Sequence, residues 1–136
     1  MPGPQSIDNA FMPCKIFYEA NGLYAKFTGV LTPEDFVVMT NAMQSPVCSD
    51  YRYRIADFLD VSEVRVNKVH VVYISDLEYW FDLTCPELVR VVVAKLPEIV
   101  EAFNRELPNR SRPESSALFS TLDDARRWVD LRTTES

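Results

Sequence analysis

The stretch Arg54-Ile-Ala-Asp-Phe-Leu-Asp-Val-Ser62 reads as a buried strand that runs into a polar turn and then into a helix. Ile55, Phe58, Leu59 and Val61 are apolar, and Asp57 and Asp60 interrupt them. In open α/β sheets the carboxyl end of such a strand is where ligands and partners are usually met. The strand is expected over Tyr51 to Val61, at the centre of the sheet.

Toward the N-terminus, Lys15 to Ala20 and Leu23 to Val30 read as two strands joined by Asn21-Gly22. An Asn-Gly pair supplies the positive φ angles of a type I′ turn, so a tight hairpin is expected. Leu23, Ala25 and Phe27 alternate with Tyr24, Lys26 and Thr28, which predicts one buried and one wetter face. A helix then begins. Thr32 can cap it, Pro33 suits its first position, and Glu34 and Asp35 favour the positive helix end. Leu31 and Phe36 occupy the two positions of a hydrophobic staple. Phe36, Met39 and Met43 recur at helical spacing until Ser45-Pro46 stops the helix.

Toward the C-terminus, Val64 to Leu83 admits two readings. Val69, Val71, Val72 and Ile74 are β-branched and suit a strand. Val69, Val72, Tyr73, Leu77, Trp80 and Phe81 form one stripe at 3.6-residue spacing, and the length favours a helix from Asn67 to Leu83. Leu88-Val-Arg-Val-Val-Val-Ala94 reads as a strand covered on both faces. Pro97 to Leu107 is a helix with Ile99, Val100, Phe103 and Leu107 inward, stopped by Pro108. Asn109 to Ser116 is a polar loop, and Ala117 to Ser120 a short edge strand. Thr121 caps a last helix that turns Leu122, Ala125, Trp128 and Val129 to the core.

The order β-β-α-β-α-β-α-β-α predicts one α/β domain. Its mixed sheet has about five strands, opens with a hairpin, and is accompanied by about four helices. Residues 1–14 are expected to be a flexible Pro-rich arm, 15–132 the domain, and 133–136 a short tail.

The totals fit that picture. The 136 residues are 47% hydrophobic and 25% charged, with nine prolines against three glycines. That length buries a core without disulfides or metal. Net charge is −6. Residues 1–68 hold 6 bases against 8 acids, and residues 69–136 hold 8 against 12, so the acidity is spread. A general nucleic-acid binder needs a basic surface, so that partner is not expected. Cys14, Cys48 and Cys85 have no CxxC spacing, and with the single His70 they make a poor zinc set. Free thiols in a reducing cytoplasm are expected. Met-Pro-Gly-Pro-Gln-Ser lacks the basic and apolar regions of a signal peptide, and no run reaches the ~20 apolar residues of a membrane span.

Four segments carry a resemblance. They are Gly29-Val-Leu-Thr-Pro-Glu-Asp-Phe36, Tyr53-Arg-Ile-Ala-Asp-Phe-Leu-Asp-Val61, Val91-Val-Val-Ala94 and Phe119-Ser-Thr-Leu-Asp-Asp-Ala-Arg-Arg-Trp-Val129. Their succession resembles the small bacterial STAS-like proteins, which are related to anti-sigma-factor antagonists and grouped with the CRAL-TRIO lipid-binding fold. The resemblance spans residues 15–131. It implies a STAS-like fold and a regulatory or binding domain of the bacterial cytoplasm rather than a catalyst. In antagonist members a serine at the start of the helix after the central strand is phosphorylated, which adds about −2 charge at a docking surface. The acidic-serine-serine-glycine turn of those members is absent here, and the local residues are Ser62-Glu-Val-Arg-Val-Asn67. The phosphoserine switch is therefore not expected.

Several candidate sites follow from the residues. Asp57, Asp60, Ser62, Glu63 and Arg65 crowd the expected strand–helix joint. They could form a polar contact site beside a helix N-terminus, or cap the turn and pair with Arg52 or Arg54. Tyr79, Trp80 and Phe81 are consecutive, and a helix can bury at most two of three. An outward Tyr79 or Trp80 is either an anchor for a partner subunit or a ring lying on the surface. Arg105, Arg110 and Arg112 could meet an acidic partner or a lipid headgroup, or be a solvated loop. His70, Cys48 and Cys85 lie in no nucleophile motif, and no GxGxxG, P-loop or HExxH is present.

The expectation is thus a non-enzymatic domain without cofactor or metal that binds a protein partner or itself, as a homodimer. The alternative is a carrier of a small apolar ligand or lipid, with Met39, Met43, Tyr73 and Trp80 lining its cavity.

Overall fold

A computed structural model describes residues 14–44, 51–67, 76, 78–79, 83–85, 87–110 and 112–134. Strand β1 (Cys14–Tyr18) runs antiparallel to β2 (Gly22–Leu31). Strands β3 (Tyr53–Val64), β4 (Val89–Val93) and β5 (Ser116–Phe119) all run parallel to β2, in the spatial order β1-β2-β3-β4-β5. The expected mixed five-stranded sheet opening with a hairpin is present. Three α-helices have defined bounds among the described residues: α1 (Pro33–Met43), α2 (Pro97–Glu106) and α3 (Leu122–Thr134). Asp76, Glu78, Tyr79, Leu83 and Thr84 are also helical, and Asn67 is not, as a cap would be. The rest of the helix expected there lies outside the described residues. So do Ser45-Pro46, Cys48, His70, Tyr73, Trp80 and Phe81.

Alternation along the strands sorts side chains onto two faces. Leu23, Ala25, Phe27, Ala56 and Phe58 are buried with Met39 and Met43 of α1 and Ile99 of α2. Phe27 and Phe58 stack with ring centres 4.4 Å apart. On the other face Ile55, Val91 and Val93 are buried with Ala125 and Val129 of α3. As expected, Leu23, Ala25 and Phe27 are fully covered while Tyr24, Lys26 and Thr28 are only half-buried.

The crossovers β2-α1-β3 and β4-α2-β5 place their helices on one face, and Glu78, between β3 and β4, lies on that face too. Consecutive right-handed crossovers that advance in one direction must do this. The parallel strands therefore never reverse order, and the sheet has no switch-point crevice at their carboxyl ends. That removes the general reason for placing a site at the end of β3.

The local chemistry explains the element ends. At the start of α1 the Asp35 carboxylate accepts the Thr32 backbone N–H at 2.8 Å and its hydroxyl at 3.4 Å. Leu31 and Phe36 both join the adjoining core. Thr121 caps α3, its hydroxyl accepting the Asp124 N–H at 3.2 Å.

Three expectations need correction. The β1–β2 hairpin is real, but Asn21 and Gly22 do not form a type I′ turn. Gly29 is the only residue with positive φ among those described, and the Glu19 N–H instead donates to the Gly22 carbonyl at 2.8 Å. Gly22 serves another purpose: a Cβ there would lie 2.4 Å from the Tyr53 ring. Second, β3 does not stop at Val61 but continues through Ser62 to Val64. Its register against β2 shifts twice, between Lys26 and Thr28 and between Gly29 and Val30. Each shift adds one residue to β3, as a bulge does. Third, Cys14 opens β1 and is buried, and α3 runs to Thr134.

Candidate functional site: a cavity with an arginine wall

Arg54 and Arg90 stand opposite each other on the paired strands β3 and β4. Both are 2% exposed. Like charges directly opposite on a sheet repel, and a buried charge demands a partner. Glu78 is that partner. Its Oε1 accepts Arg54 Nη2 at 2.6 Å, and its Oε2 accepts Arg90 Nη1 at 2.7 Å and Arg54 Nη1 at 3.2 Å. Arg90 Nη1 also donates to the Glu78 carbonyl at 2.9 Å. Arg110, in the segment between α2 and β5, comes within 3.9 Å of Glu78 Oε1 and donates to the Ser116 hydroxyl at 3.3 Å.

Burial alone would raise the Glu78 carboxyl, but the fields of Arg54, Arg90 and Arg110 override it and hold the group down at about 2. Burial pulls the Arg90 guanidinium down to about 10. Arg54 Nε is buried with no hydrogen-bond partner among the described residues.

Beside this cluster a cavity of about 390 Å³ lies between the sheet, α1 and α2. Its apolar wall includes Leu31, Phe36, Met39, Phe58, Val92 and Ile99. Arg54, Glu78 and Arg110 form a polar part of that wall, and Glu98, Glu101, Arg105 and Glu106 of α2 border it. Ligand pockets of this kind are mostly apolar with a few placed polar groups, and begin at about 300 Å³.

The opposite face holds a second polar cluster. Arg126 of α3 grips Glu19 with two bonds, both at 2.7 Å. The Tyr53 hydroxyl also donates to Glu19, and the Tyr24 hydroxyl donates to Asp57. The Arg126 guanidinium lies 5.2 Å from the centre of the Tyr24 ring. The bond from Arg126 holds the Glu19 carboxyl below its ordinary value. Burial and the bond to Glu19 push the Tyr53 phenol up to about 12.

The residues singled out at the end of β3 are dispersed. Asp57 is 2% exposed; it binds Tyr24 and accepts the Leu59 N–H at 3.0 Å, serving the bulge. Asp60 pairs with Lys26 at 3.0 Å, and Glu63 pairs with Arg65. Asp60, Ser62, Glu63 and Arg65 are exposed, and the Ser62 hydroxyl donates to the Gly29 carbonyl at 3.3 Å. No strand–helix joint gathers them, because β3 is still a strand at Ser62. The expected pairing with Arg54 does not occur, since Arg54 points to the other face and is bound to Glu78. Tyr79 is 52% exposed. Of the expected cavity residues, Met39 lines the cavity, while Met43 packs in the core without lining it. The basic spot divides: Arg105 and Arg110 reach the cavity, and Arg112 pairs with Glu114 at 3.6 Å.

Arg54, Glu78 and Arg90 escaped the sequence reading as site residues. A signal was present. Arg90 interrupts the run Leu88-Val-Arg-Val-Val-Val, and Arg54 directly precedes the apolar pair Ile55-Ala56. An arginine in a strand covered on both faces is buried, and buried arginines are paired.

This chain, whose sheet opens with a hairpin and continues as parallel strands in sequential order, has a SpoIIAA-like fold. The comparison that shows this is with an uncharacterized protein of the DUF3478 family from Shewanella loihica PV-4, whose crystal structure has that fold. It matches 85% of this chain and 91% of its own at a TM-score of 0.54, with 18% sequence identity. No family profile and no curated protein matches the sequence. No helix among the described residues is long and apolar enough to cross a membrane.

Proposed function

We propose that this domain binds rather than catalyses, and that its ligand is a small molecule whose apolar body occupies the cavity between α1, α2 and the sheet. The cavity carries the reading: about 390 Å³ of largely apolar space on the buried side of the central strands. A non-catalytic role is supported by the state of its carboxylate. Glu78 is ionised far below neutral pH and engaged by arginines, whereas a general base works best with a value near the operating pH. A reducing compartment, the cytoplasm, suits the exposed free thiol of Cys85.

Calorimetric titration of the full chain with 1-decanol tests the proposal. Saturable binding is expected, and Ala102→Phe, which fills the cavity from α2, should abolish it while leaving the fold intact by circular dichroism. No binding to the native chain would overturn the reading.

A protein-contact role of the anti-sigma-factor-antagonist kind is favoured by Tyr79, a large ring left half-exposed on the segment beside the sheet. The exposed Asp60, Ser62, Glu63 and Arg65 would supply a polar rim. Ser62 lies in a strand rather than at a helix start, which supports a contact without the phosphoserine switch. Light scattering coupled to gel filtration decides whether the partner is a second copy; a monomer at high micromolar concentration would sink the homodimer.

A further inference from the structure

We propose that the molecule in the cavity carries a single negative charge, a carboxylate at one end of an apolar chain, and that Arg54 and Arg110 hold it. This rests on the cavity reading above and specifies its ligand.

Among the groups that line the cavity, the guanidiniums of Arg54 and Arg110 stand on either side of the Glu78 carboxylate. That carboxylate is already divided. Its Oε1 serves Arg54 at 2.6 Å and leaves Arg110 at 3.9 Å, and its Oε2 serves Arg90 at 2.7 Å. Arg110 is thus held near an anion without closing on it, and among the described residues its side-chain hydrogen bond is a 3.3 Å contact to the Ser116 hydroxyl. Arg54 is 2% exposed and its Nε donor is unsatisfied among the described residues. Among the described residues the guanidiniums of Arg54, Arg90 and Arg110 face the Glu78 carboxylate and the field of Glu106, and burying cations beyond the available anions is costly unless a counter-charge completes the set. A ligand carboxylate beside Arg110 would supply it, with charge-assisted bonds of the strong kind.

The rest of the lining fixes the other properties. Phe36, Met39, Phe58, Val92 and Ile99 offer only apolar contact, so the remainder of the ligand is hydrocarbon. At about 30 Å³ per small heavy-atom group, 390 Å³ holds about a dozen non-hydrogen atoms. Glu98, Glu101 and Glu106 border the same space. Their field opposes a dianion more than a monoanion, which favours a carboxylate over a phosphate monoester. A saturated carboxylate of about ten carbons meets all three conditions.

The test is a comparison of decanoate, 1-decanol and decyl phosphate on the full chain, each titrated below its solubility or micelle limit. Decanoate is expected to bind at least about tenfold more tightly than decanol and more tightly than decyl phosphate. Arg110→Gln is expected to bring the decanoate-to-decanol ratio toward one without weakening decanol. Equal affinity for decanoate and decanol would overturn the carboxylate while leaving the apolar cavity in place. Tighter binding of decyl phosphate would overturn the single charge, and an unchanged ratio in Arg110→Gln would overturn the role of Arg110. Absence of binding by all three would overturn the cavity reading itself. Should Arg110→Gln not fold, the ratio measured on the native chain still decides.

Discussion

On the α3 face of the sheet, charges and hydroxyls close upon one another. Arg126 meets both oxygens of Glu19, Tyr53 completes that carboxylate, Tyr24 satisfies Asp57, and Lys26 meets Asp60. On the α1/α2 face, three arginines converge on one carboxylate beside an apolar cavity. The first cluster is a latch that ties the β1–β2 loop to the last helix, with each acid matched to a donor. The second is buried more deeply and leaves cationic groups on a cavity wall. Two clusters of similar composition thus do different things: one is complete in the protein alone, and the other invites an anion.

The largest effect should come from Glu78→Gln. It leaves Arg54 and Arg90 opposed and buried, and breaking such a pair by removing one partner costs about 3–5 kcal/mol. Chemical denaturation would read this as a large fall in midpoint; a change below about 1 kcal/mol would mean that water or other groups stabilise the arginines. The pH dependence has a definite sign. The Glu78 carboxyl lies near 2 in the folded chain against 4.5 ordinarily. Its stabilisation is therefore fully present above about pH 4.5 and is lost as pH falls from there toward 2. Glu78→Gln should flatten the stability profile across that window.

The latch should respond less. Glu19→Gln removes one charge from a bidentate pair whose partner, Arg126, has a side chain 35% exposed, and about 1–2 kcal/mol is expected after solvent screening. A loss as large as that of Glu78→Gln would erase the distinction between the clusters. Smallest of all is Lys26→Ala, which breaks a pair at the outer end of the latch face, with side-chain exposures of 35% and 57%. It should cost no more than about 0.5 kcal/mol by denaturation.

How much of this was legible in the sequence divides along the same line. Periodic apolar positions gave the sheet, the hairpin and the helices α1, α2 and α3, because strand alternation and helical spacing are imposed locally. The cap at Thr32 and the stop at Pro108 were equally local. The turn type at Asn21-Gly22 was misread because Gly22 is demanded by the Tyr53 ring, a contact across 31 positions of chain. The end of β3 was misread because two bulges let it track β2 for twelve residues, and a bulge leaves no pattern in composition. Asp57 was assigned to a surface joint since a carboxylate near a turn usually serves the backbone; here it serves the bulge and Tyr24 from a buried position. The arginine cluster was the least legible. Its members are separated by tens of residues, and only register places Arg54 opposite Arg90. Arg110 was visible as part of a basic spot with a possible anionic partner, but not as a wall of a cavity.

The most direct test of the account is the thermal unfolding of the full chain in rising concentrations of decanoate, since a ligand that binds only the folded state raises the midpoint with its concentration. A progressive rise is expected in the native chain, a smaller one with decanol, and none in Ala102→Phe. A midpoint that stays constant, or falls, up to the micelle threshold of decanoate would contradict it.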